Sequence, residues 1–159
     1  MLPPLLKENE NENSKGMMKV YDYAMQLVGL PYRWGGDDTI EGFDCSGLVQ
    51  EILATTGEHP PEDKTAQGLF DYFSERGRGS FNTYGLGSLA FYGRSVTKIT
   101  HVAFCLDTYR MIEAGGGGSK THSVDDAAKH NAYVRVRLID SRKDLQAVIK
   151  PYYRKIGVI

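Results

Sequence analysis

The chain has 159 residues, of which 41% are hydrophobic and 25% are charged, and its formal net charge is −1. This length suits one compact domain whose core is large enough to need neither disulfides nor metals. The near-neutral charge offers no basic surface to nucleic acid or anionic lipid, and no apolar run approaches the length of a membrane span. We therefore predict neither a nucleic-acid partner nor membrane insertion.

The N-terminal segment differs in composition from the rest of the chain. Residues 1–15 are predicted to be a polar, mobile leader, and residues 16–159 a single domain. The segment lacks the basic head and apolar middle of a secretory signal. We expect a protein that is cytoplasmic as synthesised, exported by an unusual route, or shortened at its N-terminus.

Apolar residues at helical spacing predict three helices in the N-terminal half of the chain. The predicted helices run from Met17 to Val28, from Cys45 to near Gly57, and over residues 65–75 with Thr65 as the N-cap. A glycine-punctuated loop over residues 31–44 separates the first two, and its glycines supply unusual backbone angles.

Strand patterns replace helical spacing from Leu89 onward. The predicted strands are Leu89–Tyr92, His101–Asp107, Arg110–Ala114 and Tyr133–Ile139, followed by a short helix over residues 141–150 and a C-terminal tail. The second and third strands are expected to pair through a turn at residues 107–109. Helices first and strands afterwards predict an α+β domain, with N-terminal helices packed on a central antiparallel β-sheet.

Cys45 lies between the glycine-punctuated loop and the apolar stripe of the second predicted helix. A thiol is a useful nucleophile only as thiolate, and a helix N-terminus and a nearby histidine both favour that form. Its small neighbours Gly42, Ser46 and Gly47 leave room for a substrate to approach closely. The competing interpretation is a buried structural cysteine, which is the more common role of a lone cysteine. The residues around Cys45 alone leave both interpretations open.

Cys105 has a different context, because it alternates with apolar residues within 102–106. This pattern predicts a buried strand thiol. The difference between the two cysteines favours two separate thiols over a disulfide, and no Cys/His spacing typical of a zinc site occurs. We predict no metal and no cofactor.

A cysteine nucleophile needs a base, and the sequence contains four histidines. His59, His122 and His130 lie in proline-rich or polar segments and are interpreted as surface residues. His101 opens an apolar strand, where its ring can point into a cleft while the strand behind it stays rigid. The alternative is a histidine that merely ends a strand.

Glu113 is the predicted third group, which would orient the imidazole and fix its tautomer. If the strands on either side of residues 107–109 form a tight hairpin, His101 and Glu113 become cross-strand neighbours. A charged residue between Ile112 and Ala114 otherwise lacks an obvious purpose on an inner strand. The alternative is an edge-strand carboxylate that faces water.

With these residues assembled, the sequence resembles the NlpC family of papain-like cell-wall cysteine peptidases. The matching stretches are Leu30–Gly36, Phe43–Val49, Gly87–Phe91, Thr100–Phe104 and Met111–Ala114, in the family's order. The resemblance implies a papain-like NlpC-type fold. It also implies a nucleophile at Cys45, with His101 as general base and acid.

The third polar residue of the resemblance falls at Glu113, where members more often carry His, Asn or Gln. A carboxylate there should hold the imidazolium more strongly and raise the pKa of the histidine. Tyr32 and the backbone N–H of Cys45 are the implied oxyanion donors. Asp44 and Ser46 resemble residues that grip the stem peptide near the scissile bond. Trp34, in the upstream motif, is a further expected substrate contact.

The implied substrate is a peptidoglycan stem peptide or muropeptide. The amide between D-γ-glutamyl and a diamino acid would be cut through a thioacyl enzyme, without a metal. The short length and missing signal resemble phage or prophage members, which act in the virion or after release to the cell wall, so phage-tail or virion partners are implied. Two alternatives stay open. One is a weakly active or inactive binding component such as a phage-tail part, motivated by Glu113, and the other is a papain-like amidase or acyltransferase.

Overall fold

The computed structural model describes residues 4–38 and 42–154. The helices are α1 (Pro4–Gln26), α2 (Cys45–Ala54), α3 (Ala66–Ser74) and α4 (Val124–His130), with a 3₁₀ turn at Ile139–Ser141. The strands are β1 (Asp37–Asp38), β2 (Gly42–Phe43), β3 (Gly79–Phe81), β4 (Leu89–Gly93), β5 (Ile99–Cys105), β6 (Arg110–Gly115), β7 (Tyr133–Leu138) and β8 (Leu145–Pro151). Parts of three predictions lie outside the described residues: residues 1–3 of the leader, 39–41 of the loop and 155–159 of the tail.

The main sheet is antiparallel throughout, with strand order β3-β8-β4-β5-β6-β7, and β1 and β2 form a separate two-stranded ribbon. Alternate residues of β5 face opposite sides of this sheet. Val102 and Phe104 belong to the core shared with α2 and α3, whereas Ala103 and Cys105 pack in a second cluster on the other face. The predicted α+β architecture is confirmed, and Cys105 is the buried free thiol that its context predicted.

Helix α1 begins at Pro4, inside the segment predicted to be a leader, and not at Met17. Proline suits a first helical position because its φ is preset and the N–H it lacks would have no helical partner there. Farther along, Met17, Val20 and Ala24 are buried, as their helical spacing predicted. Neither α1 nor another helix among the described residues is long and apolar enough to cross a membrane.

The prediction of a helix over residues 141–150 is wrong, because the structure has the 3₁₀ turn and then β8 there. Strand β8 is inserted between β3 and β4 and pairs with both, so its backbone groups find partners on two sides. Val148 and Ile149 are β-branched and buried in this position. Tertiary pairing therefore outweighs the charged, helix-like composition of the segment.

Strand β3 and helix α4 were not predicted. The signals for α4 are local: the Ser123 side chain caps its N-terminus by accepting the N–H of Asp126, and Asn131 ends it with a φ of 51°. Asparagine tolerates this left-handed conformation better than most residues. Strand β3 has only three residues and is defined by its pairing with β8.

Candidate active site

The N-terminus of α2 presents Cys45 as the first helical residue. Asp44 is the N-cap, and its carboxylate accepts the N–H of Gly47 at 2.7 Å and the N–H of Gly35 at 3.0 Å. The cap fixes where the helix starts and satisfies one of its otherwise unpaired donors. Because Cys45 is the first residue of α2, it lies at the positive end of the helix dipole. Cys45 is also partly exposed, so the residue is open to a ligand.

The glycine-rich loop packs directly on the first turn of α2. The Gly36 carbonyl accepts the N–H of Asp44 at 2.9 Å. A Cβ atom at Gly47 would overlap that same carbonyl, so only glycine permits this approach. The small residues that surround the cysteine in the sequence therefore lock the loop against the helix start.

His101 lies on β5, two residues inside the strand and not at its first position, and only 7% of it is exposed. Tyr92 of β4 is its direct partner in the sheet, and the two ring centroids are 5.8 Å apart. Gln67 of α3 accepts the N–H of Ile99 at 2.7 Å, which anchors the start of the strand. Neighbours on several elements therefore fix the imidazole in place.

The buried side chain of Glu113 on β6 directly contacts the buried side chain of His101. Glu113 is 1% exposed, and its Oε2 lies 2.5 Å from His101 Nε2. The register pairs Phe104 with Ile112 and Cys105 with Met111, so Glu113 is two residues from the position directly opposite His101. The predicted direct cross-strand pairing is therefore wrong, but the contact exists diagonally because both residues face the same side of the sheet.

Cys45 is the other side chain that acts on the His101 ring, through hydrogen bonding and charge that favour the protonated imidazole. Burial lowers the pKa of His101, but hydrogen bonds and negative charge from Cys45 and Glu113 outweigh it and raise the value to about 9. Burial acts to raise the pKa of Glu113, and the hydrogen bond and charge of His101, with help from Arg137, bring it below its ordinary value. The imidazolium and the carboxylate therefore stabilise each other.

Arg137 on β7 is the residue of this cluster that the sequence did not reveal. Its Nη1 donates to Glu113 Oε1 at 3.1 Å. The alternation of Arg135 and Arg137 along the predicted strand indicated one exposed polar face. That face could have been assigned to Glu113 only if β7 had been known to pair with β6.

A cleft of about 460 Å³ contains all seven residues predicted for the site. They are Tyr32, Trp34, Asp44, Cys45, Ser46, His101 and Glu113. Gly115–Gly118, Thr65, Arg137 and Arg142 also line the cleft. A larger groove of about 790 Å³ lies between α1 and the end of β8 and includes none of the seven. The predicted chemistry is thus concentrated in the smaller, more polar space.

Tyr32 forms one wall of the cleft beside the thiol. Burial raises the pKa of Tyr32 well above its ordinary value, and the negative charges of Cys45 and Asp44 add to the effect. The phenol therefore stays protonated and able to donate. Gly117 packs so tightly on the Tyr32 ring that a Cβ there would overlap it.

Ser46 and Asp44 make contacts within the chain. The Ser46 hydroxyl donates to Asp44 Oδ1 at 3.3 Å, and Ser46 is 8% exposed. Trp34 differs, because 51% of it is exposed at the cleft. Its indole therefore offers a flat apolar face to a ligand, whereas the Asp44–Ser46 pair chiefly shapes the start of α2.

The remaining histidines lie outside the cleft. His59, His122 and His130 are exposed, as predicted, and His130 Nδ1 lies 2.8 Å from the Thr121 hydroxyl. Within residues 4–38 and 42–154, no three His, Cys, Asp or Glu side chains are grouped as metal ligands would be.

A thiol at a helix start, an imidazole on the neighbouring sheet and a carboxylate behind it define a papain-like arrangement of cysteine, histidine and an orienting residue. The model of the NlpC/P60 family matches residues 29–138. The chain belongs to the NlpC/P60 family.

Individual relatives agree with this membership. The chain is 34% identical over 111 residues to the bifunctional muramidase/DL-endopeptidase CwlT of Bacillus subtilis, covering 65% of this chain and 32% of that protein. It is 26% identical over 130 residues to the probable peptidoglycan endopeptidase LytE of the same organism, covering 82% and 35%. The chain thus spans about a third of the length of these relatives.

A solved structure of similar fold is an NLP/P60-family protein, similar to lipoprotein, from Staphylococcus aureus. The TM-score is 0.62 at 25% sequence identity, covering 86% of this chain and 41% of that one. The likeness extends over nearly all of the present chain, so the sheet and helices that position the site form a family fold.

Proposed function

We propose that the protein is a cysteine endopeptidase that hydrolyses an amide bond in peptidoglycan stem peptides. The observation that carries this proposal is the chain of contacts from Cys45 through His101 to Glu113 inside an open cleft. The names of the relatives CwlT and LytE supply the substrate class. Chemistry and substrate therefore rest on separate observations.

In the proposed reaction, His101 already holds the proton released by the Cys45 thiol, as its raised pKa favours, and the sulfur attacks the scissile carbonyl carbon. The carbon–sulfur bond forms, and negative charge develops on the carbonyl oxygen. Collapse of this intermediate breaks the carbon–nitrogen bond while His101 donates its proton to the leaving amine. The product is a thioester on Cys45.

Water completes the cycle. His101 removes a proton from the water that attacks the thioester, the carbon–sulfur bond breaks, and the carboxylic acid leaves with the thiol regenerated. Tyr32 and the backbone N–H of Cys45 are the proposed donors to the carbonyl oxygen as it becomes negative. The Tyr32 phenol suits this task because burial keeps it protonated.

The proposed scissile bond joins D-γ-glutamyl to a diamino acid. The term DL-endopeptidase in the name of CwlT supports this choice. Trp34 is proposed to pack against the substrate at the cleft mouth, since half of its surface is exposed there. Asp44 and Ser46 are proposed to contact the peptide on the thiol side. They would use the hydrogen-bonding positions that the contact between Ser46 and Asp44 does not occupy.

Digestion of defined muropeptides tests the proposal. The wild-type protein is incubated with disaccharide tetrapeptide and with free stem peptides, and products are identified by mass spectrometry. We expect a fragment ending in D-glutamate and a second beginning with the diamino acid. Cleavage at another bond of the stem peptide would support a peptidoglycan endopeptidase but contradict the proposed scissile bond. Acyl transfer to an added amine in place of hydrolysis would indicate an acyltransferase instead.

A further inference from the structure

We propose that Arg137 is a positioning residue of this site, which holds the Glu113 carboxylate toward His101 and offsets its charge. The hydrolytic readout of this proposal rests on the proposed function, whereas the geometry does not. No group of Arg137 is proposed to react. It would act through Glu113 on the proton affinity of the imidazole.

The geometry is a relay across three adjacent strands. Glu113 uses one carboxylate oxygen for each partner: Oε2 lies 2.5 Å from His101 Nε2, and Oε1 accepts Arg137 Nη1 at 3.1 Å. Since both oxygens are engaged, the carboxylate cannot rotate without breaking a hydrogen bond. Arg137 therefore fixes the plane of the group that orients the imidazole.

Burial explains why a second partner is needed. Glu113 is 1% exposed, and a buried carboxylate without enough partners is strongly unfavourable. The Arg137 side chain is 38% exposed, so it brings a charge from the cleft surface to the buried carboxylate. An Asn or Gln at position 113 would carry no charge and need no such cation. Arg137 thus supplies the positive charge that a glutamate requires at this position and that an amide side chain would not.

The charges around the imidazole determine the sign of the expected effect. Groups that face His101 are Cys45 of α2, Tyr92 of β4, Glu113 of β6, and Asp144 before β8. Groups that face Glu113 are His101, Tyr92, Arg137, Arg142 after the 3₁₀ turn, and Arg135, its direct register partner on β7. Removing Arg137 leaves the Glu113 charge less compensated, so the carboxylate stabilises the imidazolium more. The deprotonation of His101 then shifts to higher pH.

The same change weakens catalysis at neutral pH. An imidazolium that is too stable gives up its proton to the leaving amine less readily. A loosened carboxylate also orients the ring less well. Both effects reduce kcat, whereas the loss of a substrate contact chiefly raises KM.

The test is a double-mutant cycle with Arg137→Gln and Glu113→Gln. The pH dependence is measured for kcat/KM on muropeptide and, independently of substrate, for the alkylation of Cys45 by iodoacetamide. Cys105 is fully buried, and burial raises its pKa to about 12, so alkylation reports Cys45. We expect Arg137→Gln to move the alkaline inflection up by about 1 pH unit. In the Glu113→Gln background, the same substitution should have no effect on the inflection.

Arg142→Gln is the matched control. Arg142 lines the same cleft, but its guanidinium pairs with Asp144 at 2.9 and 3.0 Å. Arg142 acts on Glu113 through charge alone, so its effect should differ between the two backgrounds by much less than that of Arg137→Gln. Arg137→Lys should restore the inflection, because it keeps the charge, and should recover kcat only in part.

Three outcomes overturn the proposal: an unchanged inflection in Arg137→Gln, an equal shift in both backgrounds, or a rise in KM alone. If the single variant does not fold, the double variant decides, since it has no unpaired buried charge. It must match the profile of Glu113→Gln. A coupled alkylation profile without muropeptide hydrolysis would refute the proposed function and leave the role of Arg137 standing.

Discussion

The Nε2 atom of His101 and the Oε2 atom of Glu113 lie 2.5 Å apart, although the two residues are diagonal and not direct partners in the sheet. Both are almost fully buried, so solvent cannot replace this contact. Cys45 and Glu113 both act on the His101 ring to favour its protonated form. A pKa of about 9 for His101 means that the ring carries its proton at neutral pH. The pair should therefore affect how activity and stability depend on pH, and the packing around the site should affect the rate of hydrolysis.

Glu113→Gln should move the alkaline limb of the activity profile to lower pH. The substitution removes the negative charge beside the imidazole, so the pKa of His101 falls, by about 1 pH unit or more. The profile of kcat/KM against pH measures the shift. Asp144→Asn is the control, because the Asp144 carboxylate interacts with His101 by charge alone and not by a hydrogen bond. A shift as large for Asp144→Asn as for Glu113→Gln would contradict the special role of the hydrogen-bonded carboxylate.

The His101–Glu113 pair should make stability fall with rising pH above neutrality. The folded-state pKa of about 9 exceeds the ordinary value of 6.5, so the folded protein binds the proton more tightly. This stabilisation is fully present below pH 6.5 and is lost as pH rises through 9. Its size is on the order of 1–3 kcal/mol.

Urea denaturation of wild type and Glu113→Gln at several pH values isolates this contribution. The free energy of unfolding of the wild type should fall more steeply between pH 6.5 and 9.5. Because Glu113 has a lowered pKa in the folded state, its own contribution is present above its ordinary pKa and is lost as pH falls through the folded value. Parallel curves for the two proteins would show that the pair does not couple to folding.

Gly117→Ala should reduce kcat by displacing Tyr32. A Cβ at Gly117 would overlap the Tyr32 ring, whereas one at Gly118 meets nothing within 4 Å. Neither glycine has a positive φ, so the pair differs in packing and not in backbone strain. We expect a loss on the order of 100-fold for Gly117→Ala, as for a comparable misplacement of a catalytic group. Steady-state kinetics of both variants decide the matter, and equal activities would remove Tyr32 from the mechanism.

Asp44→Ala should lower both stability and activity. The variant loses the N-cap of α2 and the hydrogen bond to Gly35, a loss of about 0.5–2 kcal/mol for the cap alone. Ser123→Ala removes the cap of α4, outside the cleft, and should cost similar stability without loss of activity. Thermal denaturation and hydrolysis rates are measured together. Should Ser123→Ala lose as much activity as Asp44→Ala, the effect would be general and not local to Cys45.

Much of the site could be predicted because its signals are local. The apolar stripe after a glycine-rich loop predicts a helix that starts at Cys45, and the structure adds Asp44 as its N-cap. The tight turn at residues 107–109 joins β5 and β6 and brings Glu113 onto the face of His101. A slip of two residues in that register preserves the face, which is why the contact survives an incorrect pairing.

What could not be predicted depends on contacts between distant parts of the chain. Arg137 reaches Glu113 only because β7 pairs with β6 across the long connection that contains α4. The segment of β8 is a strand because it pairs with β3 on one side and with β4 on the other. Neither pairing can be recognised from the amino-acid composition of β7 or β8 alone.

Amine release from purified peptidoglycan by wild type, Cys45→Ala and Cys105→Ala tests the central claim most directly. Circular dichroism and thermal denaturation first establish that all three proteins are folded. New free amines should appear with wild type and with Cys105→Ala, and none with Cys45→Ala. Continued release of amines by folded Cys45→Ala, or none by folded wild type, would contradict a thiol-dependent hydrolysis in this cleft.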